Sequence, residues 1–523
     1  MIKSLAASYA SVTLAGLLGF FIIPILISLI GTEYYGVIAF FNSAQTWFNL
    51  IDFGLAPTLA REVSKTALHF PATSDNANSA REITSDLADP IATSVHKTGT
   101  TSNFVMLYWT IKSMSLCLSG GLALVACIFL SSFSSKWPLI AHMDHFDGVI
   151  ILCCGVGTVW LRLLINLERA IMYGLREMVW LAQYTIGFSI IRYVGSLVPL
   201  MLISATLPIY FIFQFIASLI EYIFYSIASL KLIPALRNFP SKLRFGVLRG
   251  HTFFAVSSNA IYLFWIIATQ SAGIILVKNL SSTQYSLFAL ILFIGQGLMI
   301  LAAPITTLTQ PLLVRHHSLN SQSEITSTFF EYAHLLYAVV GSIALTLLLF
   351  PREFLLLWTH NTQFADNGAR LLPWHLLGIL SLVIAQYGNT LCYSLGRTKP
   401  QLVVTAFYSI GTVVILMSVT SDLDLLDYIK QWSELSVIYC AIMSVINLNL
   451  LQVKHAFEKF SFDLGRFIIT PLVIVALISH EFTESAGLWL TAIKLIFVTL
   501  FNVLFCYYQS PFLRRQFRLL LRK

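Results

Sequence analysis

Charged side chains are scarce in this sequence: Asp, Glu, Lys and Arg make up 11% of its 523 residues, against 57% hydrophobic. A soluble chain of this length would divide into two or more domains clothed in charge, and there is too little polar surface here to do so. Chemical signatures are missing too. The seven cysteines (Cys117, Cys127, Cys153, Cys154, Cys392, Cys440 and Cys506) form no CxxC pair and no metal-ligand pattern with histidine. That excludes a disulfide framework and a zinc site, and leaves them as small buried hydrophobes inside apolar runs. No glycine-rich phosphate loop, HExxH, nucleophile elbow or kinase signature occurs. Nothing marks an ATPase or an enzyme, and neither cofactor nor metal is implied.

What the chain does have is apolar runs long enough to cross a bilayer, with a mean hydropathy of +0.79. Spanning segments must satisfy their own backbone hydrogen bonds, and runs of about 20 residues do so as helices. Fourteen spans are expected, at 8–30, 35–59, 104–131, 148–167, 179–203, 208–230, 252–277, 284–309, 332–350, 371–393, 401–420, 434–452, 466–481 and 487–508. The first is too long for a signal peptide and runs straight into a second. With the N-terminus inside, 23 of the 32 Lys and Arg fall on inner segments and 5 on outer loops. This bias places both termini in the cytoplasm and accounts for most of the net charge of +8 without nucleic acid. The basic tail RRQFRLLLRK suits anionic lipid headgroups.

Loop lengths exclude more. The outer loops are too short for the folded domain that an extracytoplasmic glycosyl polymerase needs. One inner loop is long, 61–103, polar and rich in Ser, Thr, Ala and Asn, without visible chemistry. A repeat runs beneath the spans. TEYYGVIAFF echoes TQYSLFALIL, aligning Tyr35 with Tyr285, and MYGLRE echoes CYSLGRT, where Tyr173 and Arg176 mirror Tyr393 and Arg397. The expectation is an all-α integral membrane protein of about fourteen transmembrane helices. They form two pseudo-symmetric six-helix lobes (1–250 and 251–452) and a C-terminal part (453–523) of two helices and a basic tail. Transporters bind substrate between such lobes.

Polar residues inside the spans carry the functional signal. Asn42, Gln45, Asn49 and Asp52 fall within an arc of about 80° on the second span. A carboxylate at midplane costs about 2.5–3.5 kcal/mol by insertion scales, so this face lines either a watery cavity or a polar helix contact. Lys112 shares a face with Tyr108, Ser115 and Ser119. Arg162 lies with Thr158, Asn166 and Arg169, and Arg192 with Thr185, Ser189 and Ser196. Glu221 lies with Gln214, Ser218 and Tyr225. Away from the ends of the expected spans four basic residues, Lys494 included, face two acidic ones, so internal pairing leaves positive charge over, and in low dielectric that excess seeks an anion. The second lobe offers neutral groups instead: Asn259, Gln270, Gln296, His334, His375, Gln386 and Asn389. Its histidines read as satisfied packing residues, with proton coupling as the alternative.

The segment YYGVIAFFNSAQTWFNLIDFGLAPTLAREVSK resembles the second-span region of Wzx-type O-antigen flippases. These belong to the polysaccharide transporter branch of the multidrug/oligosaccharidyl-lipid/polysaccharide exporter superfamily. Tyr34-Tyr35-Gly36, Asp52-Phe53-Gly54 and Arg61-Glu62 carry the match, with support from Tyr173-Gly174-Leu175-Arg176. The resemblance implies a flippase of the bacterial inner membrane. Its cargo would be an undecaprenyl-pyrophosphate-linked oligosaccharide moved between leaflets by alternating access, with a polysaccharide polymerase and a chain-length regulator as partners. The residues suit that cargo. Lys112, Arg162 and Arg192 are candidates for the pyrophosphate, with Arg61 at the cytoplasmic mouth as capture site or topological charge. Asn42, Gln45, Asn49 and Asp52 suit the glycan path. Asp52 and Glu221 are also candidates for coupling or for pairing with a cation. A lipid II flippase, a cation or drug antiporter of the same superfamily, and a membrane polymerase are the alternatives.

Overall fold

The computed structural model describes residues 2–51, 59, 63, 93–132, 143–175, 178–237, 249–278, 280–418, 425–451, 456–471 and 488–515. Among them there is helix and no strand. Ten helices are long and apolar enough to cross a membrane, and they coincide with ten of the fourteen expected spans. The count of fourteen is not confirmed. The first and seventh lie on the helices Ile2–Ile30 and Arg249–Ile275, apolar over at least Leu14–Ile30 and Ala260–Ile275, and the second and thirteenth run beyond the described residues.

The chain forms two compact units, Met1–Ile22 with Ser28–Ile266, and Ile23–Ile27 with Ile267–Lys523. Helices α1 (Ile2–Ile30), α2 (Thr32–Ile51), α3 (Thr93–Ser132) and α4 (His145–Gly174) come first. They are followed by α5 (Met178–Tyr193), the short α6 (Leu197–Leu202), α7 (Leu207–Leu232) and α8 (Arg249–Ile275). In the first unit α4 is the hub, packed on α7, α3 and α2. Its glycines permit this. The ring of Phe41 from α2 occupies the space where a side chain at Gly155 would stand, and the ring of Phe215 from α7 does the same at Gly157.

The second unit begins within α8 and continues through α9 (Ser282–Ser318), α10 (Gln322–Leu336), α11 (Ser342–Leu349), α12 (Pro351–Thr359) and α13 (Thr362–Ser394). Then come α14 (Lys399–Ser418), α15 (Leu425–Leu450), α16 (Ala456–Leu464) and α17 (Leu488–Gln509). A π-helical turn, Tyr337–Gly341, joins α10 and α11 into one span. Here α13 is the hub, packed most extensively on α15 and next on α9. Ser281 opens α9 with a capping box to Gln284, and the Asn361 side chain accepts from the Phe364 N–H at 3.0 Å to open α13.

The sequence echoes fall at matching places in the two units. Tyr35 and Tyr285 are each the fourth residue of their helix, 4% and 1% exposed. Tyr173 and Tyr393 lie in the last turns of α4 and α13. Both helices end on a leucine whose N–H reaches the carbonyls two and four residues back. The cysteine reading needs one correction. All seven are free thiols, but Cys117 and Cys153 are exposed on their helices while Cys392 and Cys506 are buried.

Candidate functional site

Two ionic clusters occupy the first unit. Lys112, on α3, points at α4, where its Nζ lies 2.6 Å from Glu168 Oε1 and donates to Tyr108 Oη at 2.9 Å and Ser226 Oγ at 2.8 Å. The Tyr108 hydroxyl donates in turn to Glu168 at 3.1 Å. Both charged side chains are buried, 7% and 1% exposed. Beside them lies an apolar cluster that includes Ile111, Leu167, Ile171, Ile233 and Leu236. Lys112 is thus compensated by a carboxylate and a hydroxyl ring, and the charge excess that assigned it to an anion does not apply to it.

Sequence reasoning missed Glu168 because the expected span ended at residue 167, where hydropathy falls, whereas α4 continues to Gly174. The signal was available: Glu168 and Arg169 are adjacent, so they stand about 100° apart on a helix and serve different neighbours. Glu168 turns to α3 and Arg169 to α7. Arg169 Nη2 donates to Glu221 Oε1 at 2.9 Å, and the guanidinium lies 5.2 Å from the Tyr225 ring centroid. The other Glu221 oxygen is 3.6 Å from Arg192 Nε. One carboxylate, 1% exposed, therefore faces two guanidiniums. Arg162 stands on the same helix as Arg169. Among the described residues its buried Nε finds no hydrogen-bond partner, nor do Arg169 Nε, Ser218 Oγ and Tyr225 Oη. In and beside these two clusters four cations, Lys112, Arg162, Arg169 and Arg192, stand against two carboxylates, Glu168 and Glu221.

Arg192 is held by a broken helix, not by the continuous span the sequence suggested. After Tyr193 the ladder changes register. The Gly195 N–H reaches back five residues to Ile190, and Leu197 and Val198 make three-residue bonds to Val194 and Gly195. A side chain at Gly195 would overlap the Ile191 carbonyl oxygen. The Arg192 carbonyl accepts from Gln214 Nε2 at 3.0 Å, while the Arg192 side chain donates to the Phe188 carbonyl at 3.3 Å and Ser189 Oγ at 3.4 Å. The break ends α5 at the charge and fixes it toward α7.

The polar stripe of α2 is partly visible. Asn42 is exposed and Gln45 half-buried, while Val37, Ile38 and Phe41, nearer the start of the helix, are buried. Asn49 lies within α2, and Asp52 and Arg61 fall outside the described residues.

In the second unit the side-chain hydrogen bonds that α15 makes with α13 and α14 join neutral groups. Asn389 Nδ2 donates to the Tyr439 hydroxyl at 3.4 Å, Thr405 meets the same hydroxyl at 3.2 Å, and Tyr408 meets Ser436 at 2.8 Å. His375 is stacked on Trp432 with centroids 5.1 Å apart. His334 contacts Asp463 Oδ2 and Ser510 Oγ, both at 3.1 Å, tying α10 to α16 and to the end of α17. Lys494 sits 4.2 Å over the Phe350 ring. The described residues contain no group of three His, Cys, Asp or Glu able to hold a metal ion.

No family model and no curated protein matches the chain. Solved structures do. A structure of the lipid II flippase MurJ in an inward closed conformation matches with a TM-score of 0.62 at 10% identity, covering 97% of this chain and 98% of its own. The chain shares the fold of that structure. The multidrug transporter DinF-BH of the MATE group matches with a TM-score of 0.56 at 12% identity over 86% of this chain and 96% of its own. An inward-facing MATE transporter described as a member of the MOP superfamily matches at 0.54 and 11% identity over 86% and 95%. These neighbours are membrane transporters or flippases, and a multi-pass membrane protein is what the ten apolar helices make.

Proposed function

We propose that this protein is a flippase carrying an undecaprenyl-pyrophosphate-linked oligosaccharide across the bacterial inner membrane by alternating access, both termini lying in the cytoplasm. The observation that carries the reading is the cluster on α4, α5 and α7. Two guanidiniums share the single carboxylate of Glu221, with Arg162 and its unpartnered Nε on the same helix. Guanidinium groups bind phosphate bidentately and hold their charge in a low-dielectric setting. In this scheme Arg162, Arg169 and Arg192 receive the pyrophosphate and Glu221 sets their positions. Lys112 acts on Glu168 and so supports the site from behind. Asn42, Gln45, Asn49 and Asp52 line the glycan path, and Arg61 attracts the headgroup from the cytoplasm. A polymerase and a chain-length regulator of surface polysaccharide are the proposed partners.

The cation or drug antiporter is disfavoured by the same excess of positive charge. The lipid II flippase structure matches 97% of the chain and the multidrug transporters 86%. That full-length likeness also favours a second reading, lipid II as cargo, which carries the same pyrophosphate. Proteoliposomes loaded with a fluorescent polyprenyl-pyrophosphate oligosaccharide test the proposal. Flipping should need Arg192 and Arg169 and be faster for a surface-polysaccharide unit than for lipid II. Equal rates in Arg192→Ala, Arg169→Ala and the parent chain would overturn it.

A further inference from the structure

The second unit contains an open hollow of about 240 Å³ at the opening turns of α9 and α13, beside the first residues of α15. Its polar wall is built from Thr283, Gln284, Gln363, Asn367 and Arg370, and its floor from Phe364 and leucines. The floor is fixed, since Phe364 is 4% exposed and Leu371 6%. The wall is chemically open. Gln284 spends its Oε1 on the Ser281 N–H and hydroxyl, which leaves its two amide hydrogens to point elsewhere. Gln363, Asn367 and Arg370 are exposed, and among the described residues their side chains make no hydrogen bond or ion pair, although neighbouring charges do. Asp366 is taken by Arg352 at 2.6 Å, and Asp427 lies 3.9 Å from Lys430.

Planar amides and a guanidinium around a small concave space, with an apolar floor, form a donor and acceptor set suited to vicinal hydroxyls. A membrane-spanning cation or a drug would instead call for a carboxylate or a larger aromatic pocket. The volume lies below the roughly 300–1,000 Å³ of drug-sized sites, which limits the occupant to about one ring. We infer that this cavity is a sugar-binding subsite, holding one residue of a glycan between Gln363, Asn367 and Arg370 with Gln284 donating from the facing helix. The inference deepens the flippase reading and rests on it for the identity of the glycan. By the charge distribution the cavity lies at the outer end of the helices, where a translocated headgroup would arrive.

Saturation-transfer NMR on the purified full-length protein in detergent tests it, with glucose, N-acetylglucosamine and glucuronic acid as probes and sorbitol as an open-chain control. The parent chain should show ring-proton transfer from at least one of the sugars and none from sorbitol. The double variant Gln363→Leu, Asn367→Leu should weaken binding about tenfold, the effect of losing one to two hydrogen bonds. Arg370→Gln should weaken it as well, and an unchanged melting temperature establishes that each variant is folded. Absence of sugar-specific transfer in the parent chain, or equal binding in the folded double variant, would overturn the inference. Free-sugar binding requires no flipping, so a result here stands apart from the proteoliposome result: loss of flipping in Arg192→Ala with intact sugar binding separates the two sites.

Discussion

Replacing Lys112 by methionine is the sharpest test of how the first unit is held together. The Nζ to Oε1 distance of 2.6 Å gives about 6 kcal/mol of gross attraction at an effective dielectric constant of about 20. Most of that offsets the desolvation of two charges that are 7% and 1% exposed. Methionine keeps the length and the apolar stem but leaves Glu168 buried without its cation, with only the Tyr108 and Ser226 hydroxyls as partners. Breaking a buried pair from one side costs about 3–5 kcal/mol. In a chain of 523 residues this corresponds to a fall of roughly 3–5 °C in apparent melting temperature, compared at one scan rate. The double variant Lys112→Met, Glu168→Met removes both charges and should recover most of the loss. If the single variant melts with the parent chain, or the double variant loses the sum of the two singles, Lys112 and Glu168 do not compensate each other.

Three further outcomes are expected. Glu221→Gln frees two guanidiniums from their shared carboxylate, so binding of inorganic pyrophosphate by the purified protein should be retained or tightened, whereas binding of a cationic cargo at this site would be abolished. Gly155→Val should destabilise by about 1–3 kcal/mol because its side chain meets the Phe41 ring, and Phe41→Ala in the same chain should relieve part of that in a melting assay. Gly195→Ala should lower flipping by disturbing the break that places Arg192, while Gly187→Ala, which has open space around it within α5, should be silent in the same assay.

The membrane class, the helical fold and most spans were legible in the sequence because hydropathy and backbone satisfaction act locally: twenty apolar residues in a row have few other solutions. Polar periodicity found the faces of α3, α4, α5 and α7, since residues three and four apart must share a side of a helix. Partner choice was not legible. The expected stripe placed Lys112 among candidate anion ligands, yet the structure gives it Glu168 from another helix. The fifth span looked uninterrupted because Val194, Gly195 and Ser196 break no hydropathy pattern. Only the loss of space at Gly195 and the diverted Arg192 carbonyl reveal the break.

The sequence by itself determined that this is a multi-pass helical membrane protein whose first half buries more positive charge than a lipid-facing chain tolerates without compensation. It also located the two echoes, which need only a count of residues from a helix end. Tertiary structure decided which of those charges are spent. Lys112 is closed off by Glu168, while Arg169 and Arg192 converge on the one carboxylate of Glu221, because α4 turns adjacent residues toward different helices and the break in α5 aims its last cation at α7. Hydropathy and periodicity are properties of one helix; a surplus of charge is a property of how several pack.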